Sequence, residues 1–106
     1  MNTLMKTAVA VAGVFVATQA AAQVTFYSRD DFRGRTFTTD KNVHSLDRTG
    51  FNDFASSVVV KTGNWEVCED PDYQGRCVVL RPGSYRSLAE MKLENRISSA
   101  RAVEGS

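Results

Sequence analysis

A chain of 106 residues has room for one domain around a modest core. Its 13 Lys and Arg nearly balance 12 Asp and Glu, with no run of more than two like charges, so no basic stripe marks a nucleic-acid surface. Two cysteines and one histidine fall short of the four ligands a structural zinc site takes.

Met1 to Lys6 is a short, weakly basic start, Thr7 to Ala17 is an apolar run, and Ala20-Ala21-Ala22 offers a small-residue cleavage site. That layout predicts a secretory signal peptide over residues 1–22. The alternative, a membrane anchor, would need an apolar run of ~20 residues. Cleavage before Gln23 leaves 84 residues, from which only Lys6 has been lost among the charges, so 12 cations face 12 anions. No membrane span remains after that cleavage. The expected location is secreted or periplasmic, where Cys68 and Cys77 are expected to form a disulfide.

Val24-Thr25-Phe26-Tyr27-Ser28 reads as a strand, Arg29-Asp30-Asp31 as a turn, and Phe32-Arg33-Gly34 returns the chain into Arg35-Thr36-Phe37-Thr38. Asp40-Lys41-Asn42 turns again, Val43 to Leu46 follows, and Asp47 to Phe51 is loop-like. Ser57 to Lys61 closes this half as a strand. After Thr62-Gly63-Asn64 the pattern restarts with strand Trp65 to Cys68, turn Glu69 to Asp72, return Tyr73-Gln74-Gly75 and strand Arg76 to Leu80. Arg81-Pro82-Gly83 reads as a turn, Leu88 to Met91 as a helical turn, and Ala100 to Val103 as the last strand. Glu104 to Ser106 reads as a loose tail.

Val24, Phe32 and Gly34 map onto Trp65, Tyr73 and Gly75 at a spacing of 41 residues, and Leu46, Ser56 and Ser57 onto Leu88, Ser98 and Ser99 at 42. This is an internal repeat of two motifs, residues 24–61 and 64–103, within one domain spanning 23–106. Neither half can bury its apolar face alone, so an all-β sandwich of two sheets with Greek-key connections is expected. Each half also carries a hexapeptide, Asn52-Asp53-Phe54-Ala55-Ser56-Ser57 and Glu94-Asn95-Arg96-Ile97-Ser98-Ser99. Carboxylates, carboxamides, hydroxyls and an intervening backbone carbonyl are the oxygens a hard cation such as Ca²⁺ gathers, six to eight at about 2.3–2.6 Å. The same residue types also satisfy loop backbone by hydrogen bonding.

The segments Val24–Gly34 and Trp65–Gly75, each followed by its hexapeptide, resemble the folded hairpins and Asn/Asp-Asn/Asp-x-x-Ser/Thr-Ser loops of βγ-crystallins. The resemblance runs from Val24 to about Val103 and implies a two-sheet βγ-crystallin-like sandwich. It departs from the pattern at Cys68, where the second motif would carry its first aromatic, and at Glu94, where it would carry Asn or Asp. In calcium-binding members the second hexapeptide position gives a side-chain oxygen, the third its carbonyl and the fifth its hydroxyl. A carbonyl from the hairpin of the partner motif completes the set. The resemblance therefore implies Ca²⁺ ligands at Asp53, Phe54 and Ser56 in one loop and Asn95, Arg96 and Ser98 in the other, with Ser28 and Glu69 as hairpin candidates. Asp53 is anionic where Asn95 is neutral, and Arg96 adds a cation that Glu94 offsets, so the first site is expected to be the stronger. The last serines, Ser57 and Ser99, are expected to tie down the hairpins with or without metal.

No catalytic constellation is found. His44 lies near Ser45 and Asp47, but no G-x-S-x-G elbow presents a serine. A Cys68–Cys77 bond is expected as a staple, since no C-x-x-C redox motif is present. The leading expectation is an exported, non-enzymatic module stabilised by Ca²⁺, with no protein partner identifiable. The rival is a secreted protease inhibitor or toxin-like protein on the same fold, presenting Arg81-Pro82-Gly83-Ser84-Tyr85 as an exposed loop.

Overall fold

The computed structural model describes residues 21–51 and 54–104. The expected leader up to residue 20, Asn52, Asp53, Gly105 and Ser106 lie outside the described residues. The order of elements is β1 (Gln23–Arg29), β2 (Arg33–Thr39), a 3₁₀ turn (Leu46–Thr49), β3 (Ser57–Thr62), β4 (Asn64–Asp70), a 3₁₀ turn (Pro71–Tyr73), β5 (Gln74–Leu80), β6 (Gly83–Tyr85), a 3₁₀ turn (Leu88–Met91) and β7 (Ser99–Val103). Two antiparallel sheets result, ordered β2-β1-β3-β6 and β5-β4-β7. Among the described residues no helix is long and apolar enough to cross a membrane.

The halves interlock by exchanging their third strands. After β2 the first half crosses to the opposite sheet, where Val43 makes one isolated bridge with Ala100 of β7, before returning as β3 beside β1. The second half sends β6 across to pair with β3 through Val58↔Tyr85, Val59↔Ser84 and Val60↔Gly83. This is a Greek-key path folded over two sheets. Within Arg81–Tyr85, expected as an exposed loop, Arg81 to Ser84 are exposed but the last three residues are not loop. Gly83–Tyr85 is an edge strand, and the Tyr85 hydroxyl donates to the Arg81 carbonyl at 2.7 Å.

Alternation along β1 turns Val24 and Phe26 inward and Thr25 and Tyr27 outward. The buried positions obey the sequence repeat: Val24 with Trp65, Phe26 with Val67, Leu46 with Leu88, Phe51 with Leu93, Ala55 with Ile97, Val58 with Ala100. One core therefore forms about a pseudo-twofold relation, with both motifs contributing equivalent side chains. Trp65 is its largest member and is fully buried, with no hydrogen-bond partner for Nε1 among the described residues.

The hairpins place left-handed backbone at paired non-glycine residues. Asp31 and Phe32 have φ of 59° and 62°, as do Asp72 and Tyr73. Such residues cost roughly 1–2 kcal/mol each, so something must hold them. The last hexapeptide serines do. Ser57 Oγ donates to the Arg29 carbonyl at 2.6 Å and accepts from the Phe32 N–H at 3.0 Å. Ser99 repeats both bonds to the Asp70 carbonyl and the Tyr73 N–H at the same 2.6 and 3.0 Å. The returning glycine must be bare, because a Cβ on Gly75 (φ +76°) would stand 2.5 Å from Asp70 Oδ2.

The two hairpins close differently on their outer face. In the first, Tyr27 and Phe32 meet edge to face with centroids 5.7 Å apart. In the second, Cys68 and Cys77 stand directly opposite one another on β4 and β5 and are bonded, while Arg101 covers the Tyr73 ring at 4.7 Å. The aromatic lost at position 68 is replaced by a covalent link and a cation over the remaining ring.

Candidate metal centre

Each fifth-position serine is clamped between the halves. The Ser56 N–H donates to the Tyr27 carbonyl of its own hairpin, and its carbonyl accepts from Leu88 N–H of the other half, at 2.8 and 2.7 Å. Ser98 donates to the Cys68 carbonyl and accepts from Leu46 N–H, both at 2.8 Å. Both serines are buried, and these backbone bonds fix where their Cβ atoms stand.

From that clamp the Ser56 hydroxyl reaches into the opposite hexapeptide. Its Oγ lies 3.5 Å from Asn95 Oδ1 and 3.5 Å from Glu94 Oε2. These separations exceed the roughly 2.5–3.0 Å of a good O–H···O hydrogen bond. They suit a different arrangement: two oxygens each about 2.4 Å from one ion and at right angles to each other stand about 3.4 Å apart. The backbone holds the loop in this position: Asn95 takes a φ of 56° that Asn tolerates, and its N–H bonds the Ala55 carbonyl of the first loop at 2.9 Å. The donor set of hydroxyl, carboxamide and carboxylate fits a hard, oxygen-preferring cation.

The backbone supplies further oxygens. Phe54 and Arg96, the third positions, donate their N–H groups to the Phe51 and Leu93 carbonyls at 3.1 Å each, while no described donor reaches their own carbonyls. Ser28 and Glu69 are bulge residues, lying where the β1–β2 and β4–β5 registers shift. A bulge takes its residue out of the ladder. The Ser28 hydroxyl accepts from Arg35 N–H at 2.8 Å, and the Glu69 carboxylate pairs with Arg76 at 3.3 Å. Their carbonyls, taken out of the ladder by the bulges, are further candidate oxygens.

Glu69, Asp70, Asn95 and Arg96 line a common cavity of about 230 Å³. The hairpin beside the second loop is thus that of its own half, and the group that crosses between halves is the Ser56 hydroxyl. One side chain differs from the sequence-based expectation. Glu94 does not simply offset Arg96; its Oε2 turns toward Ser56 and gives the second loop a carboxylate. Asp53, expected as a ligand of the first loop, lies outside the described residues, and Ser98 is buried. The crossing of Ser56 had no signal in either hexapeptide taken alone, because it joins residues 39 positions apart.

The remaining clusters offer less. Glu66, Cys68 and Cys77 gather potential ligand atoms within 4.8 Å of one another. The two sulfurs are joined in a disulfide, and Glu66 Oε1 is bound by Arg101 Nε at 2.8 Å. His44 Nδ1 faces Asp72 Oδ1 at 3.3 Å, and Ser45 Oγ accepts from Asp47 N–H at 3.3 Å as the cap of a 3₁₀ turn. His44 and Ser45 are engaged with different partners, and no nucleophile–base pair forms between them.

A family model described as Beta/Gamma crystallin matches residues 23–103. The chain belongs to that family. As a βγ-crystallin it is 39% identical over 83 residues to gamma-crystallin E of Rattus norvegicus, covering 76% of this chain and 47% of that protein. Gamma-crystallin-5 of Xenopus laevis is 36% identical over 87 residues, covering 80% of this chain and 65% of that protein. The chain spans about half the length of the first of these relatives. Among solved structures, a betagamma-crystallin from an archaeon matches with a TM-score of 0.74 at 34% identity, covering 79% of this chain and 100% of that one. The beta gamma crystallin of Ciona intestinalis gives a TM-score of 0.74 at 27% identity, covering 76% and 99%. Both βγ-crystallin structures share the two-sheet architecture.

Proposed function

We propose that this βγ-crystallin domain is an exported, non-enzymatic Ca²⁺-binding module that the ion stabilises. The observation that carries the reading is the convergence of Ser56 Oγ, Glu94 Oε2 and Asn95 Oδ1 at 3.5 Å separations. The Arg96 and Glu69 carbonyls would raise the protein ligands to five, with water completing the shell of six to eight. By the repeat, the first-half site would take Asp53 with the Phe54 and Ser28 carbonyls and the crossing hydroxyl of Ser98. Export rests on the leader-like residues 1–22 and suits the Cys68–Cys77 bond, since disulfides persist in oxidising compartments.

The test is calorimetric Ca²⁺ titration of the chelator-treated, oxidised protein, alone and as Ser56→Ala and Glu94→Gln. Wild type is expected to take up one or two ions in the 10⁻⁴–10⁻³ M range common to extracellular modules. Each variant is expected to lose at least about tenfold affinity at one site, because a buried hydroxyl or a formal charge beside the ion is removed. Absence of binding by wild type up to millimolar Ca²⁺ would overturn the proposal. Unchanged affinity in both variants would overturn the site assignment. The inhibitor reading gains no support from Arg81–Tyr85, most of which is committed to β6.

A further inference from the structure

Beside the Glu94–Asn95 loop lies an open cavity of about 540 Å³ lined by Glu69, Arg76, Ala89, Lys92, Glu94 and Arg96. It shares Glu69 and Arg96 with the smaller cavity at Asn95. Its charges are unevenly spent. Arg76 is consumed by Glu69 Oε2 at 3.3 Å and by the Met91 and Lys92 carbonyls at 2.8 and 3.3 Å. Glu94 is directed at Ser56. Lys92 and Arg96 are exposed and form no ion pair among the described residues. Three cations against two carboxylates leave the wall net positive, and any cation held at Glu94 would add to that field.

Arg96 is also a point where the halves differ in chemistry, since its counterpart by the repeat is Phe54, whose exposed ring packs at 5.5 Å from the Arg35 guanidinium. A guanidinium beside a divalent-cation site weakens that site unless an anion stands between them. Arg presents a rigid fork suited to carboxylate and phosphate, and Lys a compact point charge.

We infer that this cavity is an oxyanion site, taking a phosphate or carboxylate group that pairs with Arg96 and Lys92 and supplies an oxygen to the ion at Ser56, Glu94 and Asn95. The inference rests on the Ca²⁺ reading and deepens it: binding of ion and oxyanion is mutually reinforcing. Linkage requires each to raise the other's affinity by the same factor.

The experiment measures Ca²⁺ affinity by calorimetry with and without glycerol 1-phosphate, and separately with and without galacturonate, in wild type, Arg96→Gln and Lys92→Gln. Wild type is expected to bind Ca²⁺ at least about fivefold more tightly with one of the two probes, and which one does so distinguishes phosphate from carboxylate. Arg96→Gln is expected to bind Ca²⁺ more tightly than wild type when no anion is present, and to lose the enhancement when one is. Lys92→Gln is expected to reduce the enhancement. Ca²⁺ binding that neither probe alters overturns the oxyanion site while leaving the calcium reading intact. Enhancement that survives in Arg96→Gln overturns the assignment to this cavity. Absence of Ca²⁺ binding in wild type removes both readings together.

Discussion

Ser56 and Ser57 are neighbours with opposite employment. Ser57 Oγ is saturated by the Arg29 carbonyl and Phe32 N–H of its hairpin, as Ser99 Oγ is by Asp70 and Tyr73. Among the described residues Ser56 Oγ has only long contacts, to Asn95 and Glu94. Substituting Ser99 by Ala is therefore expected to lower stability by about 1–3 kcal/mol, because a buried carbonyl and N–H lose their partner in a backbone already strained at Asp72 and Tyr73. The loss should be the same in chelator and, relative to wild type, in saturating Ca²⁺, as read from denaturant unfolding followed by the buried Trp65. A Ser99→Ala protein that unfolds normally in chelator but loses Ca²⁺ affinity would show that the serine serves the metal instead.

Among the elements, the 3₁₀ turns close each hexapeptide's approach in equivalent ways with unequal residues. Leu46–Thr49 ends on Gly50 at φ 78°, and Leu88–Met91 ends on Lys92 at φ 59°. Both cap N–H groups bond back into their turn, but only glycine adopts this conformation without steric cost. Lys92→Gly is expected to raise stability by about 0.5–1 kcal/mol, since relief of the left-handed penalty is partly cancelled by the freer unfolded chain. For a domain of this size, that is a shift of the melting midpoint by roughly 2–8 °C. A lowered midpoint would mean that the lysine stem contributes packing that outweighs its backbone strain. The β4–β5 hairpin gives a second expectation. The Cys68–Cys77 bond closes a separation of 9 residues, for which the chain-entropy account gives about 2.5–3 kcal/mol. Reduction should lower the melting midpoint while the far-UV spectrum remains that of a β protein, because the ladder on either side of the bond is intact. Loss of the β spectrum at 25 °C on reduction would show that the bond is required for folding.

At the scale of the molecule, the two halves hold one another at equivalent points. Asp31 N–H bonds the Arg86 carbonyl and Asp72 N–H the His44 carbonyl, at 2.9 and 2.7 Å. The same residues face each other at the surface, Arg86 and Asp31 as an ion pair at 3.0 Å and His44 Nδ1 against Asp72 Oδ1 at 3.3 Å, contacts that add little on their own. The proposed ion, held by Ser56 of one half and Glu94 and Asn95 of the other, would act as a further cross-link at this seam. Ca²⁺ at a hundredfold excess over Kd would stabilise the fold by about 2.7 kcal/mol, and less at millimolar concentrations if Kd lies near 10⁻⁴ M. A rise of about 5–15 °C in melting midpoint is expected, with little effect of Mg²⁺, which demands tighter octahedral geometry. A midpoint that millimolar Ca²⁺ leaves in place would contradict a stabilising ion at the seam.

Much of this was legible in the residues. The spacings of 41 and 42 located both hairpins and paired Leu46 with Leu88, because a repeated fold must bury equivalent side chains at equivalent positions. The hairpin role of Ser57 and Ser99 was implied by the resemblance to βγ-crystallin hexapeptides, and the bonds that carry it stay within each motif. Cys68 and Cys77 were identifiable because a short hairpin leaves little choice of partner. What the sequence could not reveal lies wherever the halves exchange groups. Gly83–Tyr85 reads as turn chemistry and becomes a strand only because β3 offers it an edge. Glu94 reads as a departure in its own hexapeptide, and its carboxylate meets the other half only when Ser56 arrives from 38 residues away. Local patterns report the conformations a segment prefers by itself. Which oxygens meet across the seam is decided by the packing of one shared core, and that packing exists only once both motifs have folded together.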